Sequence, residues 1–427
     1  MDQEIELREM TRRNLPLDGL VVIDLGQVYQ GPYATYLMAQ AGATVIKVEP
    51  PGGEPVRQRE AVSRGSGVPF ALLNGNKRCI TLDLKSARGK EILERLAAEA
   101  DVLLENFAPG AMERLGLGYP VLSARNPRLI YASGSGYGLT GPDHRKLAMD
   151  VTVQAASGLM SVTGFEDGPP VKAGTAVVDF LSGTHLYGAV VTALYERHFT
   201  GKGRLVEVAM QEVVYPTLAS NLNFYYDFGT VPPRTGNQHG GRSAAPYNVY
   251  EARDGYVAII GVNDRHWADL LKAMGREDLA DDERFATKVN RVRHIAETDA
   301  IVSAWIGDLG RDEACELLQR HGVPFAPVRD VIEVTHDRHM HERGFLNWIE
   351  HPQFGRIAIA DSPIRYHGAD RVPPAASSPL GADTEDVVME FLGASQEEFR
   401  SWADEGAFGP RAEAGPQAAD EASRNPS

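Results

Sequence analysis

The sequence predicts an α/β protein with two domains, a large one built on a mostly parallel sheet and a smaller α+β domain. Short apolar runs bounded by turn residues alternate with helical patterns from Leu17 to about residue 210. A Pro- and Gly-rich stretch follows Thr230, and a hairpin pattern comes after it. Strands that alternate with helices favour a parallel sheet covered on both faces. A chain of 427 residues is long enough for two such cores.

Six apolar runs predict the strands of the large domain. They are GLVVIDL, ATVIKVE, CITLDL, DVLLE, RLIYAS and RLVEVAM. Pro32 opens a helix that extends to about Gln40, and Ser86 caps another with a regular apolar face. Two further helices are predicted near 151–162 and 179–198. Residues 51–70, rich in Gly, Pro and charge, are expected to form a loop.

The predicted domain boundaries follow changes in composition. They assign 1–14 to a polar tail, 15–229 to the N-terminal part of the large domain, 230–335 to the small domain with its linkers, 336–411 to a C-terminal segment, and 412–427 to a disordered tail. The small domain should contain a hairpin at Asp254-Gly255 and three helices, near 263–274, 295–307 and 311–321. Two short helices are expected near 384–404.

Composition and charge argue against several classes of protein. The net charge of −15 disfavours a general nucleic-acid binder and adhesion to anionic membranes. We find no apolar run long enough to cross a membrane and no signal-peptide core. The distant cysteines Cys79 and Cys315 suggest reduced thiols in a cytoplasmic protein. A polyanionic ligand would need a local cationic patch, whose candidates are Lys47, Lys77, Arg78, Lys85 and Arg114.

Three predicted strands of the large domain end in polar, glycine-containing loops. Val28 to Gly31 follow the first strand, Asn106 and Phe107 follow DVLLE, and a loop containing Tyr137 follows RLIYAS. Each loop taken alone is explained by ordinary turn chemistry. In open α/β sheets, however, ligands bind at the carboxyl ends of strands. The coincidence of the three loops therefore favours a ligand site.

Two tempting patterns do not form a site. The GxGxxG match at 136–141 is followed by the charged PDHRK, and no strand with a terminal acid comes about 20 residues later, so a nicotinamide dinucleotide site is disfavoured. His336, His339 and His341 have no carboxylate pattern to complete a metal site. We therefore predict no bound metal.

Asp150 stands directly before the apolar, small-residue stretch VTVQAASG. An Asp in this place is ordinarily a helix N-cap, because its carboxylate accepts hydrogen bonds from the first free N–H groups. The same donors also suit a carboxylate nucleophile and its intermediates. From the residues alone, both interpretations stay open.

Four stretches taken together resemble the class III coenzyme A transferases, the CaiB/BaiF family that includes the formyl-CoA transferases. They are LDGLVVIDLGQVYQGP, NKRCITLDLK, DVLLENFAPGAMERLG and AMDVTVQAASGLMSVTG. The resemblance runs from about Leu17 to His367 and includes HGVPFAPVRDV and HPQFG. It implies a large Rossmann-like domain that the C-terminal segment completes, and an interlaced homodimer.

The resemblance also implies an activity, the transfer of CoA from an acyl-CoA to a carboxylic acid. The family pattern xxD-x-x-x-Q-A-x-x-G is matched by Asp150, Gln154, Ala155 and Gly158. Asp150 is then the nucleophile, and an aspartyl anhydride and an aspartyl-CoA thioester are the intermediates of covalent catalysis. Acyl-CoA is a substrate, and no permanently bound cofactor is implied.

The contacts to CoA that the resemblance implies can be assigned position by position. They fall on Val28, Tyr29, Gln30, Leu82 to Lys85, Asn106, Phe107, Arg114 and Tyr137. The family's glycine-rich lid matches Gly236 to Gly241, including Gly240 and Gly241, with fewer glycines than in formyl-CoA transferases. Tyr29 replaces a Gln of that branch and Pro50 replaces an Arg, which disfavours formate or oxalate as the substrate.

Two alternative functions remain for the same resemblance. In the α-methylacyl-CoA racemases, a His directly before the first Asp pairs with an acid at the place of Asp179 to exchange the α-proton. Met149 stands there in this chain and carries no proton, which favours a transferase. A non-catalytic CoA-binding protein is the second alternative, and the retained Asp150 argues against it. The donor and acceptor acids are not predicted.

Overall fold

The computed structural model describes residues 14–59 and 67–409. These residues form two compact units. The first contains the described residues up to Ala148, Asp179–Met210 and the described residues from Met340 on; the second contains Met149–Val178 and Gln211–His339. Residues 149–178 and 211–229 thus belong to the second unit, whereas the predicted boundaries placed them in the large domain. The predicted tail 412–427 lies outside the described residues, as does all of the tail 1–14 except Asn14.

The first unit is built on a parallel sheet of six strands in the order β3-β2-β1-β4-β5-β6. The strands are β1 Val21–Asp24, β2 Thr44–Glu49, β3 Arg78–Thr81, β4 Val102–Glu105, β5 Ile130–Ser135 and β6 Leu205–Ala209. Every neighbouring pair is parallel. The predicted mixed α/β fold with a mainly parallel sheet is therefore confirmed, and each of the six apolar runs is a strand.

Both faces of this sheet are buried, as the unbroken apolar strands predict. On β1, Val22 belongs to one core cluster and Ile23 to the other, because successive side chains of a strand point to opposite faces. Val45 and Ile46 divide in the same way on β2. The sheet is therefore the middle layer of the unit.

Helices cover these faces. Those that lie wholly in the first unit are Gln30–Gln40, Pro55–Gln58, Val68–Asn74, Ala87–Glu99, Ala111–Leu115, Tyr119–Arg125, Thr384–Leu392 and Gln396–Asp404. The Ser86 hydroxyl accepts from Gly89 N at 2.9 Å and caps the helix that follows, as predicted. The prediction that 51–70 is only a loop is wrong, because two of these helices begin there, each with a proline in its first turn.

The C-terminal residues pack on the first unit. Val387, Val388 and Trp402 join the core beside β3 and helix Ala87–Glu99. The Asp383 carboxylate accepts from Cys79 N at 2.7 Å. Earlier in this segment, before helix Thr384–Leu392, the strands β10 Leu346–His351 and β11 Gly355–Ala360 form an antiparallel hairpin.

The second unit contains a small antiparallel sheet in the order β7-β8-β9. Its strands are β7 Tyr247–Ala252, β8 Gly255–Ile260 and β9 Phe325–Pro327, the last of which the sequence analysis missed. The helices are Asp150–Ala156, Leu159–Val162, Ala219–Phe228, Asp264–Met274, Lys288–Arg293, Ile295–Gly307, Arg311–Arg320 and Val331–Thr335, with two 3-10 turns at Tyr215–Leu218 and Glu277–Leu279. Three helices, Val177–Thr200, Met210–Val214 and Arg338–Glu342, pass from one unit into the other.

Helix Val177–Thr200 is long and apolar enough to cross a membrane by length and composition alone. The expectation of no such apolar run is therefore wrong. Within the first unit, however, Leu186, Val190 and Ala193 of this helix are buried in the core against the sheet. That packing is what a core helix of an α/β unit shows.

Candidate functional site

The strand order of the first unit reverses between β1 and β4. Such a switch point opens a crevice at the carboxyl ends of the strands, where ligands of doubly wound folds bind. The loops that follow these two strands carry Val28, Tyr29 and Gln30 on one side and Asn106 and Phe107 on the other. The structure therefore brings these five predicted residues to one edge of one sheet.

The first loop is held by side chains around it. Asn106 bonds both backbone groups of Gln27, with Oδ1 accepting from the N–H at 2.7 Å and Nδ2 donating to the C=O at 3.0 Å. The Asp24 carboxylate accepts from Gly26 N at 2.8 Å, and the Glu54 carboxylate accepts from Val28 N at 3.2 Å. Asn106 therefore positions the loop as well as lying beside the crevice.

Val28 adopts a φ of +65° within this loop. A β-branched residue is an outlier in the left-handed region and costs on the order of 1–3 kcal/mol there. Such strain persists only where surrounding contacts determine the backbone, and the bonds to Gly26, Gln27 and Val28 supply them. The sequence could not show this strained conformation, which is decided by contacts from distant residues.

Two of the proposed cationic-patch lysines are buried, and that assignment is wrong for both. Lys47 Nζ donates to Gly26 O, and Lys77 Nζ donates to Asp24 at 2.9 Å with both side chains fully buried. Burial lowers the pKa of Lys77 to about 8, although Asp24 opposes the shift. Burial would raise the pKa of Asp24, but the two lysines together hold it below its usual range. These ammonium groups support the first loop and cannot meet a solvent-borne phosphate.

Tyr29 and Gln30 face different surroundings. The Tyr29 hydroxyl accepts from Arg59 Nη1 at 3.0 Å, and its ring stacks on Phe180 with centroids 5.9 Å apart. The Gln30 side chain is 2% exposed and lies against Gly134, where an added Cβ would come within 2.6 Å of Oε1. Its Nε2 has no hydrogen-bond partner among the described residues. Gly134 is thus the position on β5 that makes room for the amide.

A cavity of about 720 Å³ opens at the ends of β4 and β5. Its lining includes Phe107, Arg114, Arg145, His144 and Glu105. The guanidinium of Arg114 donates only to Pro109 O, and neither arginine pairs with a carboxylate among the described residues. Unneutralised guanidinium groups beside a cavity suit an anionic ligand.

Glu105 introduces an acid into the same cavity. It is 7% exposed, and its Oε2 accepts from Phe107 N at 2.9 Å. Burial raises the pKa of Glu105 to about 7, although the bonds from Ser133 and Phe107 oppose the shift. The sequence analysis did not select Glu105, Arg145 or His144. Charges in the PDHRK stretch after β5 were the available signal for the last two.

The other predicted CoA contacts lie elsewhere in the first unit. Leu82 is 1% exposed and packs in the core, so only its main chain remains for a ligand. Lys85 is exposed before helix Ala87–Glu99 and does not line the Arg114 cavity. Tyr137 is partly buried in the loop after β5. It stands in sequence between Ser135 and Gly138, and both of these residues line the Arg114 cavity. A second cavity of about 710 Å³, lined by Asp83 and Thr81 among others, adjoins the chain near Lys85.

Asp150 lies in the second unit, at the first position of helix Asp150–Ala156, with Met149 as the N-cap. The partly buried carboxylate accepts from Gln154 Nε2 through Oδ1 and from Val178 N at 2.9 Å through Oδ2. Asp150 is therefore not the N-cap residue that one of the two interpretations of the sequence predicted. Its carboxylate bonds an N–H in the first turn of a later helix, Val177–Thr200, which has no partner within that helix.

Gln154 is fully buried and bonded at both ends of its amide. Its Oε1 accepts from Ala173 N at 2.8 Å, and its Nε2 also reaches Thr175 O at 3.4 Å. The amide orientation is thus fixed by the backbone of 173–175, and one Nε2 hydrogen points at Asp150.

Asp179, the second acid, is 9% exposed in the first turn of helix Val177–Thr200 and belongs to the first unit.

The predicted substrate loop is docked within the second unit. Gly236 has a φ of +59°, and its N–H donates to Gly164 O at 2.9 Å. A Cβ at Gly240 would lie 2.8 Å from Asn221 Nδ2, and one at Gly241 would lie 2.8 Å from Ser220 O. These close approaches explain why glycine stands at both positions.

Over the described residues, no cluster of His, Cys, Asp or Glu suited to a metal occurs, including around His336, His339 and His341.

Comparison with known proteins agrees with this fold. The model of CoA-transferase family III matches residues 17–384. A formyl-CoA:oxalate CoA-transferase of Streptomyces coelicolor is 36% identical over 402 residues, which cover 90% of this chain and 97% of that protein. The human succinyl-CoA:glutarate CoA-transferase is 32% identical over 383 residues, covering 88% and 86%.

Solved structures give the same result. The crystal structure of a CAIB/BAIF family protein from Brucella suis matches with a TM-score of 0.78 and 35% identity, covering 89% of this chain and all of that one. The Mycobacterium tuberculosis protein Rv3272 matches with a TM-score of 0.76 and 32% identity, covering 88% and 99%. The chain therefore belongs to CoA-transferase family III, the CaiB/BaiF family, and is a CoA-transferase.

Proposed function

We propose that this enzyme transfers CoA from an acyl-CoA to a carboxylic acid by covalent catalysis on Asp150. The supporting observation is the state of this carboxylate. It is partly buried, fixed by Gln154 and the Val178 N–H, and still reachable by a substrate. A carboxylate held in one orientation reacts without the entropic cost of being positioned.

The first half of the reaction releases the donor acid. Asp150 attacks the thioester carbonyl, a C–O bond forms, and the C–S bond breaks to give an aspartyl anhydride and CoA thiolate. The thiolate then attacks the Asp150 carbonyl carbon. The donor leaves as its carboxylate, and CoA remains on Asp150 as a thioester.

The second half reverses these exchanges with the acceptor. Its carboxylate attacks the aspartyl-CoA thioester, which gives a new anhydride and again CoA thiolate. The thiolate attacks the acceptor's acyl carbon, which forms the product thioester and regenerates the Asp150 carboxylate. Water would hydrolyse both kinds of intermediate, so the site must exclude it. The segment Gly236–Gly241 is our candidate for that lid.

We assign the binding of CoA to the switch-point edge of the first unit. The strained first loop and Asn106 would contact CoA through main-chain groups. Arg114 would bind the phosphates of CoA. Arg145 joins Arg114 in this assignment because both line the same cavity without a carboxylate partner among the described residues. A local pair of guanidinium groups offsets the repulsion that a chain of net charge −15 exerts on a polyanion.

We also propose that the enzyme acts as an interlaced homodimer in the cytoplasm. Helix Val177–Thr200 exposes Tyr195 and Phe199, at 69% and 68%. Helix Ala219–Phe228 has no buried residue and exposes Tyr226 and Phe228. Apolar faces of this kind mark interaction sites, and a second copy is the occupant that the family resemblance implies. The free thiols of Cys79 and Cys315 fit a reducing compartment.

A matrix of acyl-CoA donors and carboxylic acid acceptors, read by mass spectrometry, tests the function. Named relatives use oxalate, D-citramalate and glutarate, so the panel should span mono- and dicarboxylic acids. We expect at least one pair to give the new acyl-CoA together with the released donor acid. Thioester loss without any acceptor thioester across the whole panel would contradict CoA transfer to carboxylates.

A further inference from the structure

Asp299 is a buried carboxylate whose three hydrogen bonds come from neutral side chains. It lies on helix Ile295–Gly307 and is 9% exposed. Oδ1 accepts from the Tyr250 hydroxyl at 2.7 Å, and Oδ2 accepts from Asn248 Nδ2 and Gln238 Nε2, both at 2.9 Å. Among the described residues no Lys, Arg or His pairs with it. These side-chain donors therefore stabilise the charge of Asp299. Removal of any one of them leaves the buried carboxylate with one hydrogen bond fewer, which costs free energy.

The three donors come from different kinds of structure. Tyr250 and Asn248 lie on β7, an edge strand of the small sheet that pairs with β8 along its whole length. Gln238 lies on the irregular segment Gly236–Arg242, which contains the candidate lid. Asp299 is thus bonded twice to a rigid strand and once to a loop.

The segment has a left-handed backbone conformation at each of its ends. Gly236 and Arg242 lie at its two ends with φ values of +59° and +47°. Only glycine takes that region without cost, so Arg242 is strained. The His239 ring accepts from Gly241 N at 3.1 Å within the segment, while Gln238 is the residue that reaches the helix carrying Asp299.

The same segment is connected to the residues that hold the nucleophile. Arg242 pairs with Glu166 at 2.7 Å, and Gly236 N–H donates to Gly164 O. The stretch 163–171 is closed by a bond from Val171 N to Thr163 O, and it continues to Ala173, which fixes the amide of Gln154. A change in the docking of Gly236–Arg242 therefore acts on the backbone that orients Gln154 and Asp150.

We infer that Asp299 is a positioning residue, which latches the segment Gly236–Arg242 through Gln238 and so governs how well the enzyme excludes water and binds the acceptor acid. The inference rests on the proposed role of this segment in CoA transfer. With Gln238 released, Asp299 keeps two donors on β7, so the sheet stays folded. The segment stays bonded at its ends through Gly236 and Arg242, but its middle loses its bond to helix Ile295–Gly307. We use the word latch for the single hydrogen bond between Gln238 and Asp299.

A matched pair of variants tests the latch. Gln238→Leu and Asn248→Leu each remove one amide donor from the same oxygen of Asp299, but only the first is on the segment. We expect trypsin to cleave after Arg234 or Arg242 roughly tenfold faster in Gln238→Leu than in wild type or Asn248→Leu. Mass spectrometry of the fragments gives the rates, and thermal unfolding checks that both variants are folded.

A third variant keeps the test informative if Gln238→Leu unfolds. Gln238→Glu places two carboxylates together at neutral pH, and a shared proton restores the hydrogen bond in acid. Cleavage in this variant should be fast at pH 8 and should approach the wild-type rate near pH 5, using a protease active at both pH values. Equal cleavage in all variants, or acceleration in Asn248→Leu as large as in Gln238→Leu, would overturn the latch.

Kinetics then separate the latch from the transfer chemistry. In Gln238→Leu we expect the KM for the acceptor to rise and donor hydrolysis per transfer to increase several-fold, with kcat at saturating acceptor within about twofold of wild type. A merely structural role would lower activity without changing the ratio of hydrolysis to transfer. If wild type transfers CoA to no acceptor, the proposed function fails, while the proteolysis still decides whether Asp299 holds the segment.

Discussion

Gln154 donates a hydrogen bond to Asp150 from one helical turn later, and its own Oε1 is fixed by Ala173 N at 2.8 Å. The amide is fully buried, whereas the carboxylate is only partly so. Residues at i and i+4 share one face of a helix, so this pairing needs only the local helix. The fixed orientation of the amide needs the distant backbone of 173–175. The proposed nucleophile is therefore oriented both by its own helix and by tertiary contacts.

Removal of this amide should slow the chemical step. Gln154→Leu deletes a hydrogen bond to a charged group, worth about 1.5–3 kcal/mol, so we expect kcat to fall roughly 10- to 100-fold with little change in the KM for the donor. Thr152→Ala is the matched control, because Thr152 bonds Met149 at the same helix end without touching Asp150. Similar losses of kcat in both variants would assign the effect to the helix end.

Asp150→Ala should abolish CoA transfer while the fold and CoA binding persist. The substitution removes the acceptor for Val178 N, a capping-type bond worth about 1–2 kcal/mol. Hydroxylamine added with a donor thioester should inactivate wild type by capturing acylated Asp150, and peptide mass spectrometry should locate a hydroxamate there. Substantial transfer by the Ala variant would reject Asp150 as the nucleophile.

The proposed phosphate site predicts a salt-dependent loss of affinity. Arg114→Ala and Arg145→Ala should each raise the Kd for CoA by roughly 3- to 30-fold at low salt, and the difference should shrink as salt is added. Lys85→Ala tests the position that the family resemblance implied but that lies outside this cavity. Calorimetry decides between them. Unchanged affinity for both arginine variants at low salt would place the phosphates elsewhere.

The raised pKa of Glu105 predicts that CoA binding weakens with pH. Below about pH 7 the folded state holds this group protonated and neutral. Above that pH its charge lines a cavity proposed to hold a polyanion, so the Kd should rise by roughly tenfold or less between pH 6 and 8. Glu105→Gln should flatten the profile, whereas Glu113→Gln, an exposed acid lining the same cavity, should not.

The same shift predicts a pH dependence of stability. The pKa of Glu105 is higher in the folded state than its usual value of 4.5, so its contribution to the free energy of unfolding is complete below about pH 4.5 and is lost as the pH rises through about 7. Glu105→Gln should therefore lose less stability than wild type across this range. Urea titrations at pH 5 and pH 8 measure the difference. If Glu105→Gln loses as much free energy of unfolding as wild type between pH 5 and pH 8, the raised pKa of Glu105 is contradicted.

The racemase alternative predicts proton exchange, which we do not expect. Met149 is exposed at the N-cap and has no group to move a proton, so 2-methylacyl-CoA substrates should take up no deuterium at Cα in heavy water. Mass spectrometry of the recovered thioester is the measurement. Uptake as fast as CoA transfer would make racemisation the main activity.

The sequence alone determined much of this protein. Unbroken apolar runs such as VVID on β1 identified the buried parallel strands, because a strand covered on both faces must be apolar at every position. Ser86 and the Asp254-Gly255 turn were recognisable because caps and hairpins depend on a few adjacent residues. Asp150 was selected through its resemblance to a family pattern, and the candidate lid in the same way.

Tertiary structure decided what no local pattern contains. Lys47 and Lys77 look like surface cations in the sequence, but they are buried because the backbone of Gly26 and the carboxylate of Asp24 receive them there. Asp150 resembles a cap of its own helix, yet it bonds the N-terminus of helix Val177–Thr200, 28 residues later. Arg145 joins Arg114, and Gln238 meets Asp299, only through folding. In each case the partner is distant in sequence, so only the packed chain brings the charges and hydrogen bonds together.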